Sequence, residues 1–450
     1  MRNNDIKRNE RIKILRTRGI SYVVRFALFS VALLVLGVIG LIIPLRPEYS
    51  NSEKRELAKF PEFSSKAFFS GAYFRQIGDW YSDTYPGREK IVELNTKLKS
   101  IYGIQAEEIH GEVIEGDDIP DEYVPTEESS TEANAPTEAQ TEPPEESYIV
   151  ENEQTQSLGA VFVVGGKGFE YYNFTKEQAD RYISLINRQA QNLEGTAKVY
   201  DMIVPTSIAI TLPDNYMKTI NSSDQKKAIE YFHSGFSPLV NKVEIYPTLM
   251  HHRREYIYFN TDHHWTALGA FYSYEKFAEA AGIPAKSLDS FEKVEFSGFL
   301  GSFYNDTGKI DALGKNPDTL VAYKPKSAVE MVYTDKAGTK INWPVVNDVT
   351  SYPASIKYSA FIGGDNPFTE ITNPSITDGS SIIVVKESFG NAFVPFLTES
   401  YNKIYVVDYR YYKGSISALC KEKGVNTVLY INNISATRNK GLISKLEATL

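Results

Sequence analysis

The stretch Ser381-Ile-Ile-Val-Val-Lys-Glu-Ser-Phe-Gly-Asn391 combines a short run of β-branched apolar residues with a turn and the start of a helix. Such a run is typical of a strand buried on both faces of a parallel sheet, and we predict a strand over Ser381–Val385. Gly390 relaxes the steric demand of a tight turn into a helix that begins near Asn391. Ser388 then lies at the carboxyl end of a buried strand, beside the free N–H groups of a helix N-terminus.

Strands and helices alternate on both sides of this stretch in a chain of 450 residues. Short Val/Ile runs that alternate with helices predict an α/β domain in which helices cover both faces of a parallel sheet. We place this domain at residues 157–450, with a long insertion near 291–374, where Gly, Asn and Pro separate short β-like pieces. The predicted strands are Ala160–Val164, Lys198–Val204, Tyr256–Asn260, Ser381–Val385, Lys403–Val407 and Thr427–Ile431, and the predicted helices include Lys176–Leu193 and Ala267–Ala281.

Polar residues follow the carboxyl ends of several predicted strands, where ligands bind in open parallel sheets. Asp262 and His264 follow one strand, and Ser388 and Arg410 each follow another. Because Asp262 and His264 are two residues apart, an extended chain places their side chains on one face and His263 on the other. A carboxylate that orients an imidazole beside a serine hydroxyl is the arrangement used for nucleophilic acyl transfer. The sequence therefore predicts a Ser–His–Asp site at this edge of the sheet.

Two other interpretations of these residues stay open at this level. A serine at a helix start and an aspartate before a helix are common N-caps, and the histidines then have ordinary roles in the core. A metal centre is the other interpretation, because the pairs His251–His252 and His263–His264 supply four of the six histidines and Asp262 adds an oxygen ligand. No second acidic cluster completes a two-metal centre, and the single Cys420 excludes a multi-cysteine site. We therefore expect neither a metal nor another cofactor.

The N-terminal residues predict a membrane anchor. Residues 1–25 carry eight Lys and Arg against two acidic residues, and residues 26–43 are apolar or small except for Ser30. We predict a transmembrane helix at 26–45, close to the ~20 residues that span a bilayer, and a cytoplasmic basic tail at 1–25. No small-x-small cleavage site follows the apolar run, so the anchor is expected to remain uncleaved. The protein is then a single-pass protein of the cell membrane with its larger part outside the cell.

Two segments separate the predicted anchor from the predicted domain. Residues 46–104 predict a membrane-proximal helical module, from the helical spacing of residues such as Phe74 and Trp80. Residues 105–156 predict an acidic disordered linker, since Glu107–Glu153 holds 17 acidic residues and no Lys or Arg. Removing those 17 negative charges turns the formal net charge of −9 into +8, most of which belongs to the N-terminal tail. No basic surface remains that predicts a nucleic-acid partner.

Several blocks of the chain resemble the DHHW protein family. The two main blocks are Tyr258-Phe-Asn-Thr-Asp-His-His-Trp265, which Gly269 follows, and Lys386-Glu-Ser-Phe-Gly-Asn-Ala-Phe393. The resemblance covers nearly the whole chain except the acidic linker. The supporting blocks are Glu53-Lys-Arg-Glu-Leu57, Tyr85-Pro-Gly-Arg88, Gly363-Gly-Asp-Asn-Pro367 and Asp408-Tyr-Arg-Tyr-Tyr412.

The DHHW family is similar to the SGNH-like proteins that O-acetylate alginate, in which an Asp-x-His pair precedes the nucleophilic serine. The resemblance implies a circularly permuted, SGNH-hydrolase-like fold of three α/β/α layers. It also implies roles at matching positions: Ser388 as the nucleophile, His264 as the base and Asp262 as the group that orients the base. Arg410 is implied to line the site.

The chain departs from the family pattern in two places. Many relatives carry aspartate where this chain has Glu387, and the Gly-x-Asn-Asp block that contributes the oxyanion hole of SGNH enzymes is not present. Gly364 and Asn366 are the candidates to replace that block, although a simple surface turn explains the same letters. We also assign Gly390 to the oxyanion or substrate site, because it lies at the helix start. Trp265 is expected to shield the site from water.

These features predict a serine-dependent O-acyltransferase outside the cytoplasm, with acetyl as the expected group and a cell-surface polysaccharide as the acceptor. The reaction would pass through an acyl-Ser388 intermediate. The acyl group has to reach the outside of the cell, and the resemblance suggests a membrane-bound O-acyltransferase as the donor. A carbohydrate esterase on the same triad stays open, since water then replaces the sugar hydroxyl. A non-catalytic carbohydrate-binding or scaffold protein stays open as well.

Overall fold

The computed structural model describes residues 46, 49–50, 55–56, 59–64, 68, 72–86, 116–124, 148–149 and 155–450. These belong to two compact units, residues 1–107 and residues 108–450. The predicted basic tail at 1–25 and the predicted membrane span at 26–45 lie outside the described residues and stay predictions. Among the residues that the structure describes, no helix combines the length and the apolar character needed to cross a bilayer.

The N-terminal unit contains a short antiparallel ladder and one helix within the predicted module at 46–104. The guanidinium of Arg46 lies 3.9 Å from the ring centroid of Trp80, and Arg46 Nη1 donates to Thr84 Oγ1 at 2.7 Å. A cation above an indole face is a favourable contact, so these interactions hold Arg46 against the helix. The described elements are β1 (Tyr49–Ser50), β2 (Arg55–Glu56) and the helix Ala72–Asp83.

The larger unit alternates strands and helices, as the sequence pattern predicts. Its strands are β3 (Thr155–Leu158), β4 (Val161–Val164), β5 (Lys167–Glu170), β6 (Lys198–Val204), β7 (Val240–Lys242), β8 (Phe291–Phe299), β9 (Asp318–Pro325), β10 (Glu330–Thr334), β11 (Lys340–Asn342), β12 (Phe368–Thr372), β13 (Ser381–Lys386), β14 (Lys403–Asp408) and β15 (Thr427–Asn433). Its α-helices are Lys176–Asn192, Ser207–Ile210, Asp214–Met217, Gln225–Gly235, Tyr246–His251, Ala267–Ala281, Ser302–Asp306, Asp311–Gly314, Gly390–Leu397, Ile416–Lys423 and Lys440–Glu447, and 3₁₀ turns span Leu288–Ser290, Ala354–Ala360 and Ala436–Arg438.

An eight-stranded sheet forms the centre of the larger unit, in the order β11-β10-β12-β14-β13-β15-β6-β7. The five strands from β14 to β7 run parallel. The other three strands extend the sheet through antiparallel pairs: β12 pairs with β14, β10 with β12, and β11 with β10. The chain thus has a mixed α/β fold with a mostly parallel sheet. The antiparallel edge departs from the predicted parallel sheet, because the short connection between β10 and β11 cannot form the crossover that a parallel pair needs.

The central strand β13 divides the core into two layers. Ile382 and Val384 belong to one apolar cluster, and Ile383 and Val385 belong to the other. Side chains alternate across a strand, so the two clusters lie on opposite faces of the sheet. One face packs against the helices Ala267–Ala281 and Gly390–Leu397, and the other packs against the helices Lys176–Asn192, Gln225–Gly235, Ile416–Lys423 and Lys440–Glu447.

Two predicted strands differ in the structure. The segment Ala160–Val164 contributes β4, but β4 lies in a separate antiparallel sheet between β3 and β5. Its neighbours follow after very short turns, which join antiparallel strands only. The segment Tyr256–Asn260 is not a strand, and that prediction is wrong. The chain folds back here, so that the N–H of Phe259 donates to the carbonyl of His264 at 3.2 Å.

The predicted insertion at 291–374 supplies both sheet structure and contacts to the site. It contains the β8–β9 hairpin and the antiparallel strands β10 to β12. The helix Ser302–Asp306 and the 3₁₀ turn Ala354–Ala360 from the same segment contact Asp262 and Ser388, respectively.

Residues 116–124 fall inside the predicted disordered linker at 105–156, yet they contact the folded unit. The N–H of Asp117 donates to the carbonyl of Phe174 at 2.8 Å, and Tyr123 packs against the buried core. This part of the segment is ordered, contrary to the prediction, because a few apolar side chains within an acidic stretch suffice to dock it. Most of the remaining linker lies outside the described residues.

Candidate active site

The structure brings the three predicted triad residues into one hydrogen-bonded relay, Ser388–His264–Asp262. His264 Nε2 lies 2.8 Å from Ser388 Oγ, and His264 Nδ1 lies 2.6 Å from Asp262 Oδ1. With a proton on Nδ1 facing the carboxylate, Nε2 is the acceptor for the serine hydroxyl. This is the tautomer that a general base for a serine nucleophile requires.

Ser388 occupies the turn between β13 and the helix Gly390–Leu397, as predicted. A Cβ atom at position 390 would lie 2.6 Å from the Cβ of Lys386, which is too close for a side chain. Gly390 therefore permits the sharp turn, and its N–H donates to the carbonyl of Glu387 at 3.1 Å. The local sequence thus predicts the serine at the edge of the sheet.

Asp262 is buried and carries a strongly stabilised negative charge. Besides the bond from the His264 ring, Asp262 accepts the N–H of His264 at 3.0 Å and the N–H of Ser302 at 2.8 Å. Burial raises the pKa of Asp262, but the two neighbouring imidazoles and these hydrogen bonds outweigh burial and hold the pKa well below its usual value. A Cβ atom at Gly301 would lie 2.1 Å from Asp262 Oδ2, so only glycine allows this approach.

His263 lies beside His264, and the prediction that the two rings occupy opposite faces is wrong. The ring centroids are 3.8 Å apart, and His263 Nδ1 lies 2.7 Å from Ser302 Oγ. Residues 260–264 form a bend, so the two-residue alternation of an extended strand does not apply to them. The pairing of Asp262 with His264 arises from this bend.

The same residues form the one group of three possible metal ligands in the part of the chain that the structure describes. The ligand atoms of residues 262–264 lie within 4.8 Å of one another. However, His264 Nδ1 already faces Asp262 and its Nε2 already faces Ser388. A metal ion would have to displace one of these bonds, and the histidines at 251–252 do not belong to the group. The donor set fits a proton relay better than a metal site.

Two buried aromatic side chains lie near the relay, and one of them covers the imidazole. Trp265 has no exposed surface, and its Nε1 donates to the carbonyl of Phe389 at 2.9 Å. Tyr358 stacks on His264 with a centroid distance of 3.8 Å and an angle of 11°, and its hydroxyl donates to the carbonyl of Ser388 at 3.1 Å. The ring of Trp265 packs against Phe389, and its shielding of the site from water stays a prediction. Tyr358 comes from the insertion, and no local signal in the sequence marks it.

Glu387 is a second buried carboxylate next to the serine. Its Oε2 lies 3.2 Å from Ser388 Oγ and accepts the N–H of Phe389 at 3.1 Å, while Oε1 accepts the N–H of Asn433 at 3.0 Å. The serine hydroxyl has one proton, and the shorter distance to His264 favours donation to the imidazole. Glu387 therefore fastens the serine turn to the end of the neighbouring strand β15.

Arg410 belongs to a charged network that borders the relay. Its Nε and Nη2 donate to the two oxygens of Asp408 at 2.9 and 2.7 Å, and Nη2 also lies 2.9 Å from Asp365 Oδ1. Asp365 accepts from Asn391 Nδ2 at 2.9 Å, which ties the network to the helix after the serine. Burial raises the pKa of Asp365, but Arg410 and Lys386 hold it well below its usual value. The arginine thus supports the serine helix through Asp365.

The predicted oxyanion donors are engaged elsewhere. Asn366 Nδ2 donates to the carbonyl of Gly363 at 3.3 Å within its own turn, and the N–H of Gly390 donates to Glu387. No hydrogen bond joins the backbone N–H of Ser388 to any residue that the structure describes. This N–H is therefore available as a hydrogen-bond donor beside the serine.

Comparisons with known proteins agree with this architecture. The profile of the DHHW protein family matches residues 53–154 and 138–407. A DHHW family protein from Eubacterium siraeum has a similar structure, with a TM-score of 0.60 and 28% sequence identity over 66% of this chain and 97% of that protein. No curated protein matches the sequence significantly.

Two further solved structures are similar at lower identity. PatB1 from Bacillus cereus, in a structure with a sulfonyl adduct, has a TM-score of 0.52 and 18% identity over 63% of this chain and 98% of its own. This likeness shows a shared fold. The O-acetyltransferase domain of Pseudomonas putida AlgJ has a TM-score of 0.33 and 14% identity over 65% of this chain and 97% of its own, a likeness too weak to support an inference.

Proposed function

Because the chain belongs to the DHHW protein family and contains a complete Ser388–His264–Asp262 relay, we propose that it is a serine-dependent O-acyltransferase. The observation that carries the proposal is the distance of 2.8 Å between His264 Nε2 and Ser388 Oγ at the carboxyl edge of the sheet. We further propose acetyl as the transferred group and a cell-surface polysaccharide as the acceptor.

The first half-reaction loads the serine. Ser388 Oγ attacks the carbonyl carbon of an acyl ester while its proton passes to His264 Nε2. We propose that the N–H of Ser388, which has no partner in the described part of the chain, stabilises the negative charge on the carbonyl oxygen. The intermediate then collapses, the alcohol of the donor leaves with the proton from His264, and the acyl group remains on the serine.

The second half-reaction transfers the acyl group to the acceptor. His264 takes the proton of a sugar hydroxyl, whose oxygen attacks the acyl carbon, and Ser388 leaves as the alcohol after it regains that proton. Asp262 carries its negative charge throughout and stabilises the imidazolium that forms in both half-reactions. The low pKa of Asp262 supports this role, since a neutral carboxyl group would not stabilise a cation.

Chain order and fold support the same assignment. Asp262 and His264 precede Ser388 along the chain, which fits our proposal of a three-layer, circularly permuted SGNH-hydrolase-like domain. PatB1 shares the fold and has been described with a sulfonyl adduct, so a sulfonyl fluoride is a suitable first probe of Ser388. The short distance from Ser388 to His264 argues against a vestigial triad in a scaffold protein.

The proposed setting follows from the N-terminal sequence. We propose a cytoplasmic tail at 1–25, a membrane span at 26–45 and a module at 46–104 that carry the α/β domain at 157–450 outside the cell. A membrane-bound O-acyltransferase would then deliver the acyl group. The excess of Lys and Arg before the apolar run supports this orientation.

An ester assay on the full-length protein in detergent tests the proposal. With 4-nitrophenyl acetate, we expect a burst of 4-nitrophenolate equal to the enzyme concentration and an acetyl group on the peptide that contains Ser388. Ser388→Ala and His264→Ala should each abolish the burst, whereas the exposed control Ser375→Ala should retain it. The neutral oligosaccharide chitotetraose is added as a trial acceptor. Acetylated chitotetraose among the products would indicate transfer, and acetate alone would indicate an esterase. A full burst from Ser388→Ala would contradict the acyl-serine mechanism.

A further inference from the structure

Tyr358 contacts both partners of the proton transfer in the relay. Its ring lies nearly parallel to the imidazole of His264, with a centroid distance of 3.8 Å and an angle of 11°. Its hydroxyl donates to the carbonyl of Ser388 at 3.1 Å. His264 and Ser388 are 124 residues apart in the chain, so a side chain that contacts both restrains the base relative to the nucleophile.

The 3₁₀ turn Ala354–Ala360 holds Tyr358 in this position. The neighbouring Lys357 is buried, and its Nζ donates to the carbonyls of Val349 and Thr350 at 2.8 and 3.0 Å. Tyr358 is itself 9% exposed. A buried ring on a fastened turn has little freedom left to lose when a substrate binds, so its contact with the relay is formed in advance.

The Tyr358 hydroxyl remains a hydrogen-bond donor throughout the reaction. Burial and the nearby carboxylates, Asp262 foremost, hold the pKa of Tyr358 well above its usual value. The phenol therefore keeps its proton over the pH range in which an imidazole titrates. Its bond to the Ser388 carbonyl restrains the backbone of the residue that carries the nucleophilic Oγ, and the N–H of Asn391 shares that carbonyl at 3.1 Å.

The ring of Tyr358 also acts on the charge that His264 acquires. When Ser388 gives up its proton, the neutral imidazole becomes an imidazolium. A cation within ~6 Å of an aromatic centroid is attracted to the face of the ring. Because this attraction arises after the proton has moved, the stack stabilises the charged intermediate more than the resting relay, and it accelerates acylation.

Other titratable groups surround His264 on the segments that pack against it. A substitution at position 358 leaves all of them in place, so a change in the pH dependence of the rate reports the loss of the tyrosine ring. These groups are Asp262 and His263 on its own bend, Glu387 beside Ser388, and Asp365, which pairs with Lys386 and Arg410.

We propose that Tyr358 is a positioning residue of the relay, which aligns His264 with Ser388 and stabilises the imidazolium through its ring. The insertion at 291–374 then takes part in the reaction, because it supplies this residue. The inference rests on the proposed function and adds to it a residue outside the Ser388–His264–Asp262 relay.

The rate of the 4-nitrophenolate burst, measured between about pH 5 and about pH 9 with the full-length protein in detergent, tests this role. Tyr358→Phe keeps the ring and loses the bond to the Ser388 carbonyl, so we expect a rate roughly threefold lower with the same pH midpoint. Tyr358→Leu loses the ring as well, and we expect a rate roughly 100-fold lower. Its midpoint should fall by about one pH unit, because an imidazolium without the aromatic face loses its proton at lower pH.

Tyr272→Leu is the matched control. Tyr272 stacks on His252 with a centroid distance of 3.6 Å and the same angle of 11°, and this pair shares no residue with the relay. The control should change neither the rate nor the midpoint. Urea denaturation of each variant separates a loss of folding from a loss of rate.

The outcomes separate this inference from the proposed function. A parent burst that Tyr358→Leu retains at the parent rate would overturn the inference alone, as would a slower rate with an unshifted midpoint, which indicates a structural role. If Tyr358→Leu does not fold, Tyr358→Phe decides, and a rate equal to that of the parent overturns the inference. A parent protein without any burst would remove the proposed acyltransferase together with this role for Tyr358.

Discussion

The pKa values of two buried aspartates of the larger unit are shifted in opposite directions. Asp262 accepts three N–H groups and has a pKa well below its usual value. Burial raises the pKa of Asp201, on β6, to about 7. Asp201 accepts one hydrogen bond, from Tyr182 at 2.6 Å, and its Oδ1 has no partner in the described part of the chain. Burial disfavours the charge at both positions, so the number and charge of the neighbours decide the outcome.

The difference in hydrogen bonding and pKa indicates that Asp262 fits a functional role, whereas Asp201 is a residue of the core. Three N–H donors, one of them on the His264 ring, and the neighbouring imidazole of His263 keep Asp262 ionised, as a relay requires. Asp201 accepts only the phenol of Tyr182, and the amide of Asn432 donates to that phenol at 3.1 Å. We therefore expect the same chemical change at the two positions to have unrelated consequences.

The largest expected effect is on catalysis. Asp262→Asn should lower the rate of the acylation burst by on the order of 10³–10⁴-fold, because the amide no longer holds His264 in the required tautomer. Asp201→Asn is the matched control, and it should leave the burst rate unchanged. Comparable losses from the two variants would show that Asp262 acts only as a core residue.

The second effect concerns the space around Asp262. Gly301→Ala places a Cβ 2.1 Å from Asp262 Oδ2, so the carboxylate has to move. We expect a loss of about 3 kcal/mol in the free energy of unfolding and a much slower burst, measured by urea denaturation and by the ester assay. Gly78→Ala, at a helical position with no atom within 4 Å, should not lower the stability of the protein. Unchanged activity in Gly301→Ala would mean that the three-donor arrangement is not needed.

The smallest effect concerns pH and stability at Asp201. Its folded pKa of about 7 lies above the usual ~4, so between these values the folded state binds a proton that the unfolded state has lost. Stability should therefore fall as the pH rises from about 4 to about 7. Asp201→Asn should be roughly 2 kcal/mol more stable than the parent at pH 8, about half of the full linkage, because the buried amide lacks a partner for its N–H.

Urea denaturation at pH 5 and pH 8 checks this expectation. The advantage of Asp201→Asn should be smaller at pH 5 and present in full at pH 8. Asp262 has the opposite sign, because a depressed pKa adds stability above about pH 4 that is lost as the pH falls. A parent-minus-variant difference that does not depend on pH would mean that Asp201 is ionised in the folded state throughout.

Parts of the fold and site with a local cause were predictable. The strands Lys198–Val204 and Lys403–Val407 were identified to within one residue, because buried parallel strands are continuous apolar runs. The errors have nonlocal causes. The chain at 256–260 is apolar like a strand, but Asp318 binds the N–H groups of Asn260 and Thr261 and the segment folds back, which only the distant hairpin makes possible.

The sequence by itself determined the α/β class, the turn at Ser388 and the order in which Asp262 and His264 precede it, because periodicity, glycine position and residue spacing act within a few residues. The tertiary structure decided that His264 and not His263 meets the serine, that Tyr358 covers the imidazole, and that the pKa of one buried aspartate is raised while that of another is lowered. The serine and its histidine are 124 residues apart, and a hydrogen bond of that kind forms only when the sheet brings the two strand ends together.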